Sequence, residues 1–272
     1  MLDISPVRLK IAAFTLLLAA GLPSAYAVDG AIQINQARAL AGSVTLGDAP
    51  GFPITINTSG YYVLTGNLKV PDQNTSAIVI NSNNVTIDLN GFAILGPNVC
   101  ATDGFSPAQP CTLPASNQYA GVGVDGGSQT PNVVLNTRVI NGTIDGVGGL
   151  GIFGNVNMRI EGVNISNCGY DGINNGGGLI RDVLVRACGG SGIATSSAVI
   201  ENSRVLFNRG NGIITQGGSL VTANIMLQNL NIGLVVSGNT RYTNNLIDGN
   251  RNGQVSGGTA AGVNTCGTAA CP

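Results

Sequence analysis

A glycine followed by an aliphatic residue returns along this chain at a nearly fixed interval: Gly151-Ile152, Gly172-Ile173, Gly192-Ile193, Gly212-Ile213 and Gly233-Leu234, with Gly253-Gln254 closing the series. The steps are 21, 20, 20, 21 and 20 residues. So short and regular a period marks a stack of similar supersecondary units rather than a sequence of unlike globular elements. Between the glycines a second pattern repeats: Ile160-x-x-Val163-x-Ile165-x-x-Cys168, Ile180-x-x-Val183-x-Val185-x-x-Cys188, Ile200-x-x-Ser203-x-Val205-x-x-Asn208. Apolar residues two apart are the signature of a strand with alternate side chains pointing inward. One such unit cannot bury its own apolar face, so neighbours must stack to make a core.

A leucine-rich horseshoe has a similar nine-residue pattern. It calls for leucines inside and a helical or extended return. Here the inward positions are mainly Ile and Val, and the return segments Gly192 to Val199 and Gly212 to Leu220 are rich in Gly, Ser and Thr, which are poor helix formers. Composition agrees with a chain of strands and turns. Charged residues are 9% and glycines number 41, against about 25% and 7% in ordinary soluble proteins. Aromatic residues are 4% with no tryptophan, so small and β-branched side chains must fill the interior.

Upstream, Tyr61 to Leu68, Ile78-Val79-Ile80 and Val85-Thr86-Ile87-Asp88-Leu89-Asn90-Gly91-Phe92-Ala93-Ile94 continue the strand alternation, broken at Asn and Gly. On these coils and the Gly-Ile steps, roughly Gly60 to Gly258, the chain resembles the right-handed parallel β-helix repeat proteins of the pectate-lyase-like superfamily. The resemblance implies an all-β, single-stranded right-handed parallel β-helix with an N-terminal cap. The expected organisation is a signal peptide at 1–27, a cap region at 28–59 with a short helix around Ile34 to Ala41, and the β-helix at 60–258. A loop is inserted at 97–120, and a C-terminal cap with a cysteine pair occupies 259–272. The resemblance also implies polysaccharide lyases and glycoside hydrolases as relatives. The Gly-His-Gly of the polygalacturonase-like hydrolases and the Arg-x-Pro-x-x-Arg of the pectate lyases are both missing, which disfavours those two activities.

Arg8 and Lys10, the apolar run Ile11 to Leu22 and the small-x-small triplet Ala25-Tyr26-Ala27 read as an export signal. The mature chain is expected to begin at Val28, secreted or periplasmic, with no membrane span once the signal is removed. Six cysteines in an oxidising compartment are expected to form local pairs: Cys100 with Cys111, Cys266 with Cys271, and Cys168 with Cys188, which are one repeat apart.

Twelve basic and thirteen acidic residues are scattered rather than clustered, so no nucleic-acid footprint exists. Histidine is absent, which removes imidazole as base, shuttle or ligand. No metal or other cofactor is expected; Asp88, Asp125 and Asp171 lie in turn-like contexts, but no loop motif supports calcium. Register along the strands places Asp145 and Arg186 on one outward face, roughly 10 Å apart at two strand spacings, with Asn164 and Arg204 beside them. These four are the candidate glycan-contacting residues, with the inserted loop as a second wall. Glu161, Arg181 and Glu201 form another column, read as an ion-pair ladder. Two functions stand: a carbohydrate-interacting or surface-structural β-helix without strong catalytic equipment, with polysaccharide as its partner, or a divergent polysaccharide lyase or glycoside hydrolase.

Overall fold

A computed structural model describes residues 30–100, 111, 117–127 and 133–271. The export segment and most of the 97–120 insert lie outside the described residues. The chain is a parallel β-helix of nine coils, each giving one strand to a nine-stranded sheet that runs from Ile54–Ile56 to Val255–Ser256. That sheet is the third face. The other two faces, one from Ala31–Ile34 to Thr259–Ala260 and one from Leu68–Lys69 to Thr265–Cys266, form a single 18-stranded sheet. They join because Arg138–Asp145 and Met158–Ser166 run through the corner between them and pair along both halves. The coil takes the right-handed sense of parallel strand crossovers.

Stacking in register sorts side chains into columns. Ile78, Val124, Ile152, Ile173, Ile193, Ile213 and Leu234 follow one another inside the third face, all with no solvent exposure. Ile87, Val139, Ile160, Ile180, Ile200 and Val221 do the same inside the first face. Each such side chain contributes about 1.5–3 kcal/mol of transfer free energy. Like shapes packed on like shapes make the core. Corners need a sharp change of direction, and a left-handed residue supplies it at matching positions: Asn141, Gly162, Asp182, Asn202, Ala223 and Asn244 between the first and second faces. Asn tolerates this conformation best after Gly, which explains the Asn-rich composition.

The repeating glycines serve a different need. A Cβ on Gly192 would sit 2.1 Å from Val205 Cγ1, and one on Gly172 would sit 2.2 Å from Val185 Cγ1. The backbone entering the third face passes too close to the second-face strand of the next coil for any side chain. The Gly-Ile period is therefore steric.

Just after the left-handed corner residue, one inward slot recurs in every coil. At the second corner the slot holds Cys168, Cys188, Asn208, Asn229 and Asn250 in turn. Asn229 Oδ1 accepts from the Asn208 backbone N–H at 3.1 Å and from its amide at 3.0 Å, and Asn250 Oδ1 accepts from Asn229 in the same way. A second ladder, Ser203, Asn224, Asn245 and Asn264, lines the first corner. Asn167 belongs to neither ladder: it is the corner residue before the slot, and its amide donates to Asp145.

Two disulfides are present, Cys100–Cys111 and Cys266–Cys271. The expected third pair is not: Cys168 and Cys188 are free, buried thiols. Successive slots of a parallel stack hold their Cβ atoms about 4.8 Å apart with parallel directions, whereas a disulfide favours about 3.8 Å and converging ones. Burial, then the neighbouring Cys188 thiol, pushes the Cys168 thiol well above its usual range. The pair acts as a small apolar rung.

At the N-terminus, Ala31–Ile34 already pairs with Gly60–Leu64, and Ile54–Ile56 with Ile78–Ile80, so the stack begins inside the 28–59 region. The helix Gln36–Ala41 lies between those strands, its first turn capped by the Asn35 side chain. At the other end Thr265–Cys266 pairs antiparallel with Ala269–Ala270, and Cys271 returns to Cys266. Among the described residues no helix is long and apolar enough to cross a membrane.

Asn229→Ala should lower the unfolding free energy by about 2–4 kcal/mol, because it strands the buried donors of Asn208. Asn252→Ala, which removes an exposed amide bonded to Asn231, should change it by less than about 0.5 kcal/mol. Chemical denaturation of the two variants checks this, and equal effects would contradict the ladder's role.

Candidate functional site

Outward positions on the third face follow the register Val79, Asp125, Phe153, Asn174, Ala194 and Ile214. At about 4.8 Å per coil they span roughly 24 Å. Two hollows lie along this line. One, of about 500 Å³, lies between Phe52, Pro53 and Val79 on one side and Asn117 and Tyr119 on the other. The other, of about 370 Å³, has the outward column Phe153, Asn174, Ala194 and Ile214 on its floor and Asn155, Ser196 and Gln216 along it. Between them Tyr119 meets Phe153 edge to face, ring centres 5.2 Å apart.

The insert builds this arrangement. Its far end, Asn117 to Ala120, rejoins the stack by hydrogen bonds from Leu150 to Gln118 and from Gly149 to Gly121. Its near end is anchored over the second corner. There the Asn98 amide donates to the Asn167 carbonyl at 3.0 Å, and Cys100 Sγ lies 3.4 Å from the Cys168 carbonyl oxygen. The described residues 117–120 of the insert thus lie beside the third face.

The four residues marked in the sequence lie on the second face. Asp145, Ser166 and Arg186 share one outward column, and Asn164, Leu184 and Arg204 the adjacent one. Asn164, Arg186 and Arg204 are exposed. Asp145 is half-buried and accepts from Ser166 Oγ at 2.6 Å and Asn167 Nδ2 at 2.8 Å. Its carboxylate ties two coils together. None of the four lines either hollow. Asp171 stands at the edge of the second hollow, accepting from Asn174 Nδ2 at 3.1 Å and the Ser191 N–H at 2.7 Å; burial pushes its carboxyl above the usual range.

On the first face the register Glu161, Arg181, Glu201 is as expected. The ion pairs differ. Glu161 is held between Arg138 at 2.8 Å and Arg181 at 2.6 Å, while no ion pair reaches Glu201 among the described residues. Burial alone would raise the Glu161 carboxyl, but the hydrogen bonds and charges of Arg138 and Arg181 hold it below the usual range. Nearby, the Tyr61 hydroxyl donates to Asp88, and that bond raises the phenol's pKa. Asp88 also accepts from the Asn90 N–H at 2.8 Å. These carboxylates are engaged within the sheet. Among the described residues no group of three or more His, Cys, Asp or Glu is placed to hold a metal ion.

What the sequence reading missed is the third-face line itself. A signal was present: the slot after Gly-Ile holds Asn174, Ala194, Ile214 and Val235 in later coils but Phe153 in this one.

No protein-family model matches the chain, and no curated protein matches it in sequence. Among solved structures, the periplasmic alginate epimerase AlgG is similar with a TM-score of 0.55 at 16% identity, over 75% of this chain and 58% of that one. The Dettilon tailspike protein gp208 follows at 0.51 and 15% identity, over 78% and 53%. The chain therefore spans little more than half the length of either. Both are parallel β-helices, as this protein is, and the likeness is one of fold.

Glu161→Gln should destabilise the protein at neutral pH. A carboxyl whose folded pKa lies below its unfolded one adds stability above the unfolded pKa, near 4.5, and loses it as pH falls through the folded value. The gap in unfolding midpoint between wild type and Glu161→Gln should therefore close as pH is lowered below about 4.3, the ordinary carboxylate range. A gap unchanged down to pH ~2 would contradict the ion-pair account.

Proposed function

We propose that this protein is a secreted or periplasmic carbohydrate-binding β-helix, and that the third face is its binding surface. The observation that carries the reading is the Tyr119–Phe153 pair set between two hollows on one straight line of outward residues. A polysaccharide is an extended ligand with apolar C–H faces and polar edges. Aromatic rings and aliphatic floor residues suit the faces, since the electron-rich ring face attracts C–H hydrogens. Amides and hydroxyls along the sides suit the edges. The line of outward residues is long enough for several sugars in a row, and the rigid stack beneath it holds them in place without ordering cost.

Binding rather than turnover is the reading the lining supports. It contains carboxamides, hydroxyls and one phenol, and neither a carboxylate pair nor an amine. Glycoside hydrolysis needs two carboxyl groups flanking the bond to be cut. The fold neighbours fit a carbohydrate role in outline, since one is an alginate epimerase. That enzyme's periplasmic location and the two disulfides here favour a compartment outside the cytoplasm.

Phe153→Ala and Tyr119→Ala should each weaken binding to the recognised polysaccharide by about tenfold or more, as loss of an aromatic anchor does. The melting temperature should stay nearly constant, because both rings are only partly buried. Asp145→Ala and Arg186→Ala should bind as wild type does. A glycan array followed by titration calorimetry reads both sets; loss of binding in the second set and not the first would move the site to the second face.

A further inference from the structure

We infer that the second face is the interface of a homodimer, in which two copies pack face to face about a two-fold axis parallel to the strands, their stacks running in opposite directions. This does not depend on the third face. It starts from outward positions that are apolar where water should make them polar. Over four successive coils the second face presents Leu184 and Arg186, Arg204 and Leu206, Ile225 and Leu227, then Leu246 and Asp248. Leu246 is 39% exposed. Strands with one side in water alternate apolar-in with polar-out, whereas a near-continuous apolar run such as Ile225-Met226-Leu227 belongs to a sheet covered on both faces. A contiguous outward patch of this kind, bordered by charges, marks an interaction surface.

The order of residues along the face identifies the partner. A two-fold axis parallel to the strands keeps each column opposite itself and reverses the order of coils, giving an isologous contact. Set between the coils of Leu206 and Leu227, that axis places Leu206 of one copy against Leu227 of the other, and Leu184 against Leu246. Arg186 then meets Asp248, and by symmetry the contact is made twice. Within one chain these two lie three coils apart, roughly 14 Å at the spacing of parallel strands. Both are exposed, and neither makes an ion pair among the described residues. Arg204, opposite Ile225, stands beside the first corner, where a long side chain can cover apolar surface with its stem and keep its charged head in water. Sliding one copy by a coil destroys the match. In one direction Arg204 meets Arg204; in the other Leu206 meets Asp248.

The first face carries a comparable ridge and lacks this self-complementarity. Leu179, Val199 and Leu220 follow one another there, between Arg159 and Arg241. The register that stacks this ridge on itself sets Arg159 against Arg241 and Glu201 against Glu201. Like charges brought together suppress a contact. Self-recognition therefore belongs to the second face.

Sedimentation velocity of the full chain over a range of concentrations tests this. The protein should sediment as a dimer that dissociates on dilution. Leu227→Asp should be monomeric with an unchanged circular-dichroism spectrum, because the side chain it replaces points out of the stack. Arg186→Asp and Asp248→Arg should each weaken the dimer about tenfold or more, since each sets like charges together twice. The two substitutions in one chain should restore it. A wild type that stays monomeric at every concentration, or a dimer that survives Leu227→Asp, would overturn the interface. Single substitutions that leave the dimer unchanged, or a folded double variant that stays as weak as the single ones, would overturn the two-fold pairing.

Discussion

Parallel stacking in register is the constraint on which everything else in this protein depends. A coil of about twenty residues has no interior of its own, and its backbone groups find partners only in the coils above and below. Once that is imposed, every position acquires a column. An inward slot of the first two columns must be aliphatic all the way along, a corner must accept a left-handed residue in coil after coil, and the entry to the third face must be glycine wherever the next coil's strand crowds it. The buried Asn ladders are the same constraint met by polar groups. Each amide satisfies the preceding coil's backbone N–H, which no apolar side chain could do, and it is held in turn by its neighbour. Where the ladder slot is Val163, Val183, Cys168 or Cys188, the side chain is buried and apolar, and the ladders end by accepting the N–H groups of Val183 and Cys188 at Ser203 Oγ and Asn208 Oδ1.

This division of labour frees the outward residues. They contribute little to the core, so a face can be specialised without endangering the stack. The second and first faces are occupied with ties between coils: Asp145 to Ser166 and Asn167, Glu161 to Arg138 and Arg181. On the third face the outward line is uncharged from Phe153 to Val235, and the insert folds back to stand Tyr119 against it. Rigid floor and added wall are what a site for an extended ligand needs, because a preformed surface loses little freedom on binding.

The fold was legible because it is periodic. Six Gly-x copies and the Ile/Val spacing fix the strand positions and even the outward columns, and the pairing of Asp145 with Ser166 and Arg186 follows from counting alone. Two things were not legible. Counting assigns a residue to a column but does not say which face an insert will adjoin, so the hollows beside the third face could not be read from the repeat. Tyr119 lies on that insert, outside the repeat, and its contact with Phe153 is purely tertiary. The cysteines misled for a related reason. One-repeat spacing brings Cys168 and Cys188 together, but stacked slots point their side chains in parallel, and nearness without convergence does not make a bond.

The central claim is that a glycan lies along the third face, and hydrogen–deuterium exchange with and without an oligosaccharide that binds on a glycan array tests it directly. Amides of Ile152–Gly154, Ile173–Asn175 and Ile193–Ser196, together with 117–120 of the insert, should gain protection on binding. Those of the second face, Leu184–Arg186 and Arg204–Leu206, should exchange as before. Protection that falls on the second face, or that spreads evenly over all three, would contradict the account.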